Sequence, residues 1–190
     1  VAQGWTAETI EWARERALAE GFDLAGVAAA PAHDQEDGRV TAERFREWID
    51  DGRAGEMEYL KRRDEQGELL RASARVAVPW ARSVIVCAMS YNGAGPRSVE
   101  TAEADRGWIA RYAWNGTEDG GAVDYHDDLM RRLRGVEAAL KERVACETKC
   151  FVDTGPLLER DFAARAGVGW VGKNTCVINQ GLGSWLLLGA

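Results

Sequence analysis

Positive charge is short in this chain: 24 Lys and Arg stand against 31 Asp and Glu, a formal net charge of −7. That argues against general attraction to nucleic acid or anionic lipid. The local clusters Lys61-Arg62-Arg63 and Arg131-Arg132-Arg134 remain available for phosphate but read most simply as solvated helix faces. Metal-ligating residues are scarce as well. The four cysteines, Cys87, Cys146, Cys150 and Cys176, form no C-x-x-C pair, and only His33 and His126 accompany them. A self-contained iron–sulfur or zinc centre is therefore not expected. Cys87 and Cys176 lie in apolar runs and read as small buried hydrophobes. No apolar run approaches the roughly 20 residues of a membrane-spanning helix, and Val1 opens no signal-peptide pattern. Glycine and proline are too sparse for wholesale disorder. What is present, 190 residues of which 46% are hydrophobic and 29% charged, suffices for one substantial core. The expectation is a soluble, cytoplasmic, monomeric domain spanning 1–190, without membrane contact.

Periodicity then divides the chain. Thr6 reads as the N-cap of a helix that ends before Gly21, with Ile10, Ala13 and Ala17 on one face. A short strand is expected over 22–28, and a helix from Thr41 to Asp51 carries Phe45, Trp48 and Ile49. A further short helix begins near Gly55. Apolar strands are expected over 83–91 and, alternating around Arg111, over 108–114. The longest helix runs from Asp124 to about Val144, with Tyr125, Leu129, Leu133, Val136 and Leu140 on its apolar face. Strands over 149–152, 169–179 and 184–188 complete an α/β (α+β) pattern, helices covering a mixed central sheet. The terminal run Ser184-Trp185-Leu186-Leu187-Leu188 has no polar exit, which gives the impression of a chain cut from something longer.

The most informative stretch surrounds one carboxylate. Phe151 and Val152 read as the end of a strand, Gly155-Pro156 turns the chain, and Pro156 suits a first helical turn. Asp153 would thus stand where a strand meets a helix N-terminus, able to cap the helix, bind a ligand or donate a proton. Leu157, Leu158, Phe162 and Ala166 follow at helical spacing, and Gly167 is a natural end. Gly169 and Gly172 permit close approach by another backbone or a flat ligand.

Several of these segments together resemble a known family. Asp153-Thr154-Gly155-Pro156 with Glu159-Arg160, then Ala166-Gly167-x-Gly169-Trp170-x-Gly172-Lys173-Asn174-Thr175 and Gly183-Ser184-Trp185, look like the N-terminal, cobalamin-binding domain of epoxyqueuosine reductases. Gly55-Glu56-Met57-x-Tyr59-Leu60, Ile109-Ala110-Arg111-Tyr112-Ala113 and Asp124-Tyr125-His126 occur in the family's order, so the resemblance covers essentially the whole chain. It implies reduction of the epoxide of epoxyqueuosine to queuosine at the tRNA wobble position. It further implies cobalamin as cofactor, flavodoxin or ferredoxin as electron donor, and a downstream ferredoxin-like domain with two 4Fe–4S clusters that this chain does not contain.

The residues carried over are specific. Asp153 is implied as the proton donor; Arg71, Ala110, Asp153, Lys173, Asn174, Val177 and Leu188 as cobalamin contacts; Arg111, Tyr125 and Arg160 as substrate contacts. An ordinary aspartate, with a pKa of about 3.9, is ionised at neutral pH, so the donor role requires burial or bound negative charge. Some relatives carry cysteine where Ala110 stands, and 115–123 is longer than the usual link and reads as a surface insertion. His126 as an axial ligand is a minor reading. Two other assignments stay open: a related cobalamin enzyme such as a reductive dehalogenase, and a non-enzymatic cobalamin-binding or trafficking module.

Overall fold

The structure, a computed structural model, describes residues 5–32, 35–100, 105, 107–116, 121 and 123–190. Helix α1 (Ala7–Ala19) starts where expected: the Thr6 hydroxyl accepts from the Thr9 amide and the Thr9 hydroxyl accepts from the Thr6 amide, a reciprocal cap that satisfies two otherwise unpaired donors. Gly21, with φ +88°, ends the connection and the chain enters β1 (Leu24–Ala29). Helix α2 (Glu36–Asp50) begins earlier than the pattern predicts, so Thr41 is an interior residue rather than its start. The expected helix after Gly55 is a single 3₁₀ turn, Glu58–Lys61, and a second such turn, Leu70–Ala72, leads into the short α3 (Ala74–Ala77).

Strand β2 (Ser83–Ser90) is the centre of the sheet. It pairs antiparallel with β1 on one side and with β5 (Leu186–Gly189) on the other. The α/β class holds, but both described pairings are antiparallel, which corrects the expectation of a mixed sheet. Alternation along β2 divides the core in two. Val84, Val86 and Ala88 face a cluster with Ala28, Leu157, Phe162, Ala163 and Val177. Ile85, Cys87 and Met89 face Ala17, Phe22, Leu129, Leu133 and Val136, which belong to α1, its exit, and α4 (Tyr125–Arg143).

On the first face lie α5 (Glu159–Arg165) and a hairpin of β3 (Trp170–Val171) with β4 (Val177–Ile178). The predicted strand over 169–179 is this hairpin, turned at Thr175 with φ +65°. A Cβ on Gly169 would meet the Ile178 carbonyl oxygen at 2.3 Å, and one on Gly172 the Ile178 side chain at 2.5 Å. Those glycines serve the hairpin's own closure, the close backbone approach that the spacing allows.

Two further strand expectations give way. Residues 108–114 contain a 3₁₀ turn, Arg111–Ala113, because Arg111 donates to the carbonyls of Gly93, Gly95 and Pro96 instead of lying on a sheet. The alternation that mimicked a strand comes from surface rings: Trp108 stacks on Trp114 at 5.8 Å. Over 149–152 only Phe151 pairs, exchanging both backbone hydrogen bonds with Ala190. Of the expected insertion at 115–123, residues 117–120 and 122 lie outside the described residues; its ends meet where the Val123 amide donates to the Asn115 carbonyl. Among the described residues no helix is long and apolar enough to cross a membrane.

Candidate active site around Asp153

Asp153 does not cap a helix. Helix α5 starts only at Glu159, and Asp153 occupies a tight turn in which the Thr154 amide reaches the Val152 carbonyl at 2.5 Å. Its φ of +52° is the left-handed region that a non-glycine residue adopts at a cost. The turn is fixed at both ends: Val152 is buried against α4, and Leu157 is buried in the opposite cluster. The carboxylate is thereby held outward, with about half of its side chain exposed (54%).

Two side chains converge on it. The Tyr125 hydroxyl donates to Asp153 Oδ2 at 2.6 Å, and His126 Nε2 lies 3.3 Å from the same oxygen. His126 Nδ1 is 2.8 Å from Oδ1 of Asp124, the N-cap of α4. Both ring nitrogens thus face carboxylates, and neither is directed at an open coordination position. Hydrogen bonds from the His126 backbone amide and ring hold the Asp124 carboxyl below the usual range. Burial, together with the hydrogen bond to Asp153 and its charge, pushes the Tyr125 hydroxyl well above its ordinary value. Tyr125 is a donor at any physiological pH. Tyr112 meets its ring edge-on at 5.7 Å, joining the Arg111–Ala113 turn to the cluster.

Arg71 approaches from below the turn. Its guanidinium donates to the carbonyls of Leu157 at 2.8 Å and Asp153 at 3.3 Å, and only 10% of its side chain is exposed. Arg71 therefore braces the Asp153 turn instead of presenting a free cation. Arg160 Nη1 donates to the Thr175 carbonyl, tying α5 to the hairpin turn. Arg111 lies 5.0 Å from the ring centres of both Trp114 and Trp185, and Tyr91 stacks on Trp185 at 5.8 Å. Ala110, Lys173 and Asn174 are exposed; Asn174 Oδ1 accepts from the Cys176 amide. Val177 is buried in the core and Leu188 packs against the same cluster, so their side chains serve the fold.

Periodicity missed Glu159, Asp124 and Tyr112. An acidic residue in a first helical turn ordinarily answers the helix dipole, and nothing in the sequence says that Glu159 is buried. Cysteine placement is split. Cys87 is buried, its thiol pushed up to about 12 by burial, whereas Cys176 is exposed, against expectation. A larger cleft of about 380 Å³, lined by Trp5, Trp12, Val78, Trp80, Leu140 and Phe151 among others, includes none of Asp153, Tyr125 or His126. Its size marks it, but the converging polar groups are elsewhere.

Comparison with known proteins places the chain in a family. Residues 71–154 match the family model described as "Epoxyqueuosine reductase QueG, DUF1730". An epoxyqueuosine reductase of Gloeobacter violaceus is 37% identical over 188 residues, covering 96% of this chain and 51% of the relative. A crystal structure of epoxyqueuosine reductase with an epoxyqueuosine-modified tRNA-Tyr stem loop aligns with a TM-score of 0.70 at 29% identity, covering 96% of this chain and 44% of that one. The Bacillus subtilis enzyme, in a structure with its catalytic aspartate loop swung out of the active site, aligns with a TM-score of 0.68 at 27% identity over the same shares. The chain belongs to the epoxyqueuosine reductase family, and it spans about half the length of the relatives it matches.

Proposed function

We propose that this chain forms the part of an epoxyqueuosine reductase that presents Asp153 to the modified nucleoside of tRNA. The reaction converts an epoxide to an alkene, with two electrons and two protons consumed and the oxygen leaving as water. Cobalamin, when bound, supplies the low-potential electrons. A flavodoxin or ferredoxin would recharge it through 4Fe–4S clusters held outside this chain, in a cytoplasmic monomer.

The single observation that carries the reading is the Asp153 turn. Tyr125 and His126 both address Oδ2, which leaves Oδ1 without a partner among the described residues and free to face a reacting oxygen. Docked tRNA removes water and adds phosphate charge, and both favour the carboxyl form that gives up a proton. Tyr125 keeps its own proton and holds the carboxyl in orientation as that proton leaves.

The outward-facing residues beside the turn fit a flat, amide-rich macrocycle. Ala110 is small and exposed, and Tyr112, Trp114 and Trp185 expose flat rings on the segments linked to it. Ala110 would lie against such a group, and Lys173 and Asn174 would offer polar ends from the hairpin turn that Arg160 ties to α5. Arg71, Val177 and Leu188 support that wall from behind.

The test is single-turnover conversion of epoxyqueuosine tRNA by the natural full-length protein, reduced beforehand so that electron delivery is not rate-limiting. Asp153→Asn should slow it by on the order of 10²- to 10⁴-fold, the usual loss for one general acid, while cobalamin still binds. A rate near that of the unaltered protein removes Asp153 from the chemistry.

A further inference from the structure

Glu159 is a largely buried carboxylate for which the chemistry above has no use. Its side chain is 17% exposed, Oε1 is buried with no hydrogen-bond partner, and Oε2 stands 3.9 Å from Arg71 Nη1, beyond hydrogen-bonding reach. That same nitrogen is committed at 2.8 Å to the Leu157 carbonyl, and its twin reaches the Asp153 carbonyl. One guanidinium therefore has two claimants: the backbone of the Asp153 turn, which holds it, and an under-satisfied carboxylate immediately beside it.

The geometry points to Glu159 as a positioning residue for Asp153: when neutral it leaves Arg71 on the turn's carbonyls, and when ionised it draws the guanidinium to itself and releases the turn. The physical reason is the asymmetry between a neutral and a charged acceptor. A carbonyl competes well with a protonated carboxyl for Arg71, but a carboxylate whose buried Oε1 has no hydrogen-bond partner gains far more from the same donor. The groups facing Glu159 are Arg71 from the 3₁₀ turn, Asp153 from its loop and Arg160 from the same helix. Burial is the largest influence and pushes Glu159 up to about 7, with the Asp153 charge adding to it and its own backbone amide, Arg71 and Arg160 opposing. The exchange therefore falls in the physiological range. In the Bacillus subtilis relative the catalytic aspartate loop has been seen swung out of the active site.

The sign follows from linkage. A carboxyl that is harder to ionise in the held state than in the released state binds its proton preferentially when the turn is held, so raising the pH favours release. The inference rests on Asp153 being the reacting carboxyl, but its test does not need turnover. Hydrogen–deuterium exchange of peptides covering 151–158 in the natural full-length protein, corrected for the intrinsic pH dependence of exchange, should accelerate between pH 6 and pH 8.5. One proton titrating near 7 in the held state permits at most about tenfold over that range. Glu159→Gln, a neutral mimic of the protonated acid, should keep the turn protected at both pH values. The acceleration should persist in a His126→Gln background. A pH-independent wild type, a Glu159→Gln protein that still accelerates, or loss of the effect with His126 would overturn the proposal. If Asp153→Asn proves fully active while exchange behaves as stated, the catalytic reading falls and the Glu159 device stands.

Discussion

The two faces of the sheet are built differently. One is closed by α1 and α4, helices of 13 and 19 residues whose buried positions recur at helical spacing. The other is closed by a seven-residue helix, a two-residue-per-strand hairpin and a series of turns. The candidate site lies where the two meet: Tyr125 opens α4, and Asp153 lies between Val152 on one face and Leu157 on the other. Regular elements bury side chains cheaply because their backbone groups are satisfied internally. Irregular ones aim carbonyls, amides and side chains individually, and the proposed role of Asp153 needs that freedom of aim.

This contrast can be broken by substitution. The largest effect is the loss of turnover in Asp153→Asn. Asparagine tolerates the left-handed backbone of this turn, so the melting temperature should shift little; a large drop would make the residue structural instead. Next comes Leu129→Ala on the helical face. Leu129 is fully buried, and its truncation should cost about 2–5 kcal/mol, measured by urea unfolding, while the activity of the molecules that remain folded is unchanged.

Glu159→Gln, on the irregular face, should do the opposite. Because burial raises the folded-state pKa of Glu159, its ionisation lowers stability as the pH rises from about 4.5 through 7. The variant should match the parent near pH 4.5 and exceed it at pH 8.5 by at most about 3 kcal/mol. Equal melting temperatures at both pH values would show that the carboxylate is better solvated than its surroundings imply. The smallest effect is Thr6→Ala, which removes the reciprocal cap of α1 and should cost about 1 kcal/mol without touching the site; thermal denaturation reads it.

Legibility in the sequence followed the same division. The α1 cap, β1, β2 and the 19-residue α4 were all visible as periodicity, because burial on one face repeats at 3.6 or 2 residues. Asp153 is legible as a site because turn-forming residues surround it, yet the helix after it starts later than the spacing predicts. Pro156 looks like a first-turn residue, but Arg71 claims the carbonyls of Asp153 and Leu157 and holds the chain in a turn until Glu159. The 108–114 segment misled because a strand and a surface turn lined with stacked tryptophans show the same alternation. Glu159 was out of reach: its meaning lies in what covers it, and an arginine some 90 positions away supplies the other half.

Gly26 extends the consequences of close packing to the question of which positions tolerate drift. A Cβ there would stand 2.1 Å from the Ala166 carbonyl oxygen, so the end of α5 rests directly on β1 where a side chain would otherwise be. Alanine could not be accommodated without lifting α5, and Glu159 and Arg160 would rise with it. A hydrogen atom in the middle of β1 thus acts as a spacer gauge for a carboxyl at the other end of a helix. Mutational scanning should find Gly26 among the least replaceable positions of the chain, although it touches neither substrate nor Asp153.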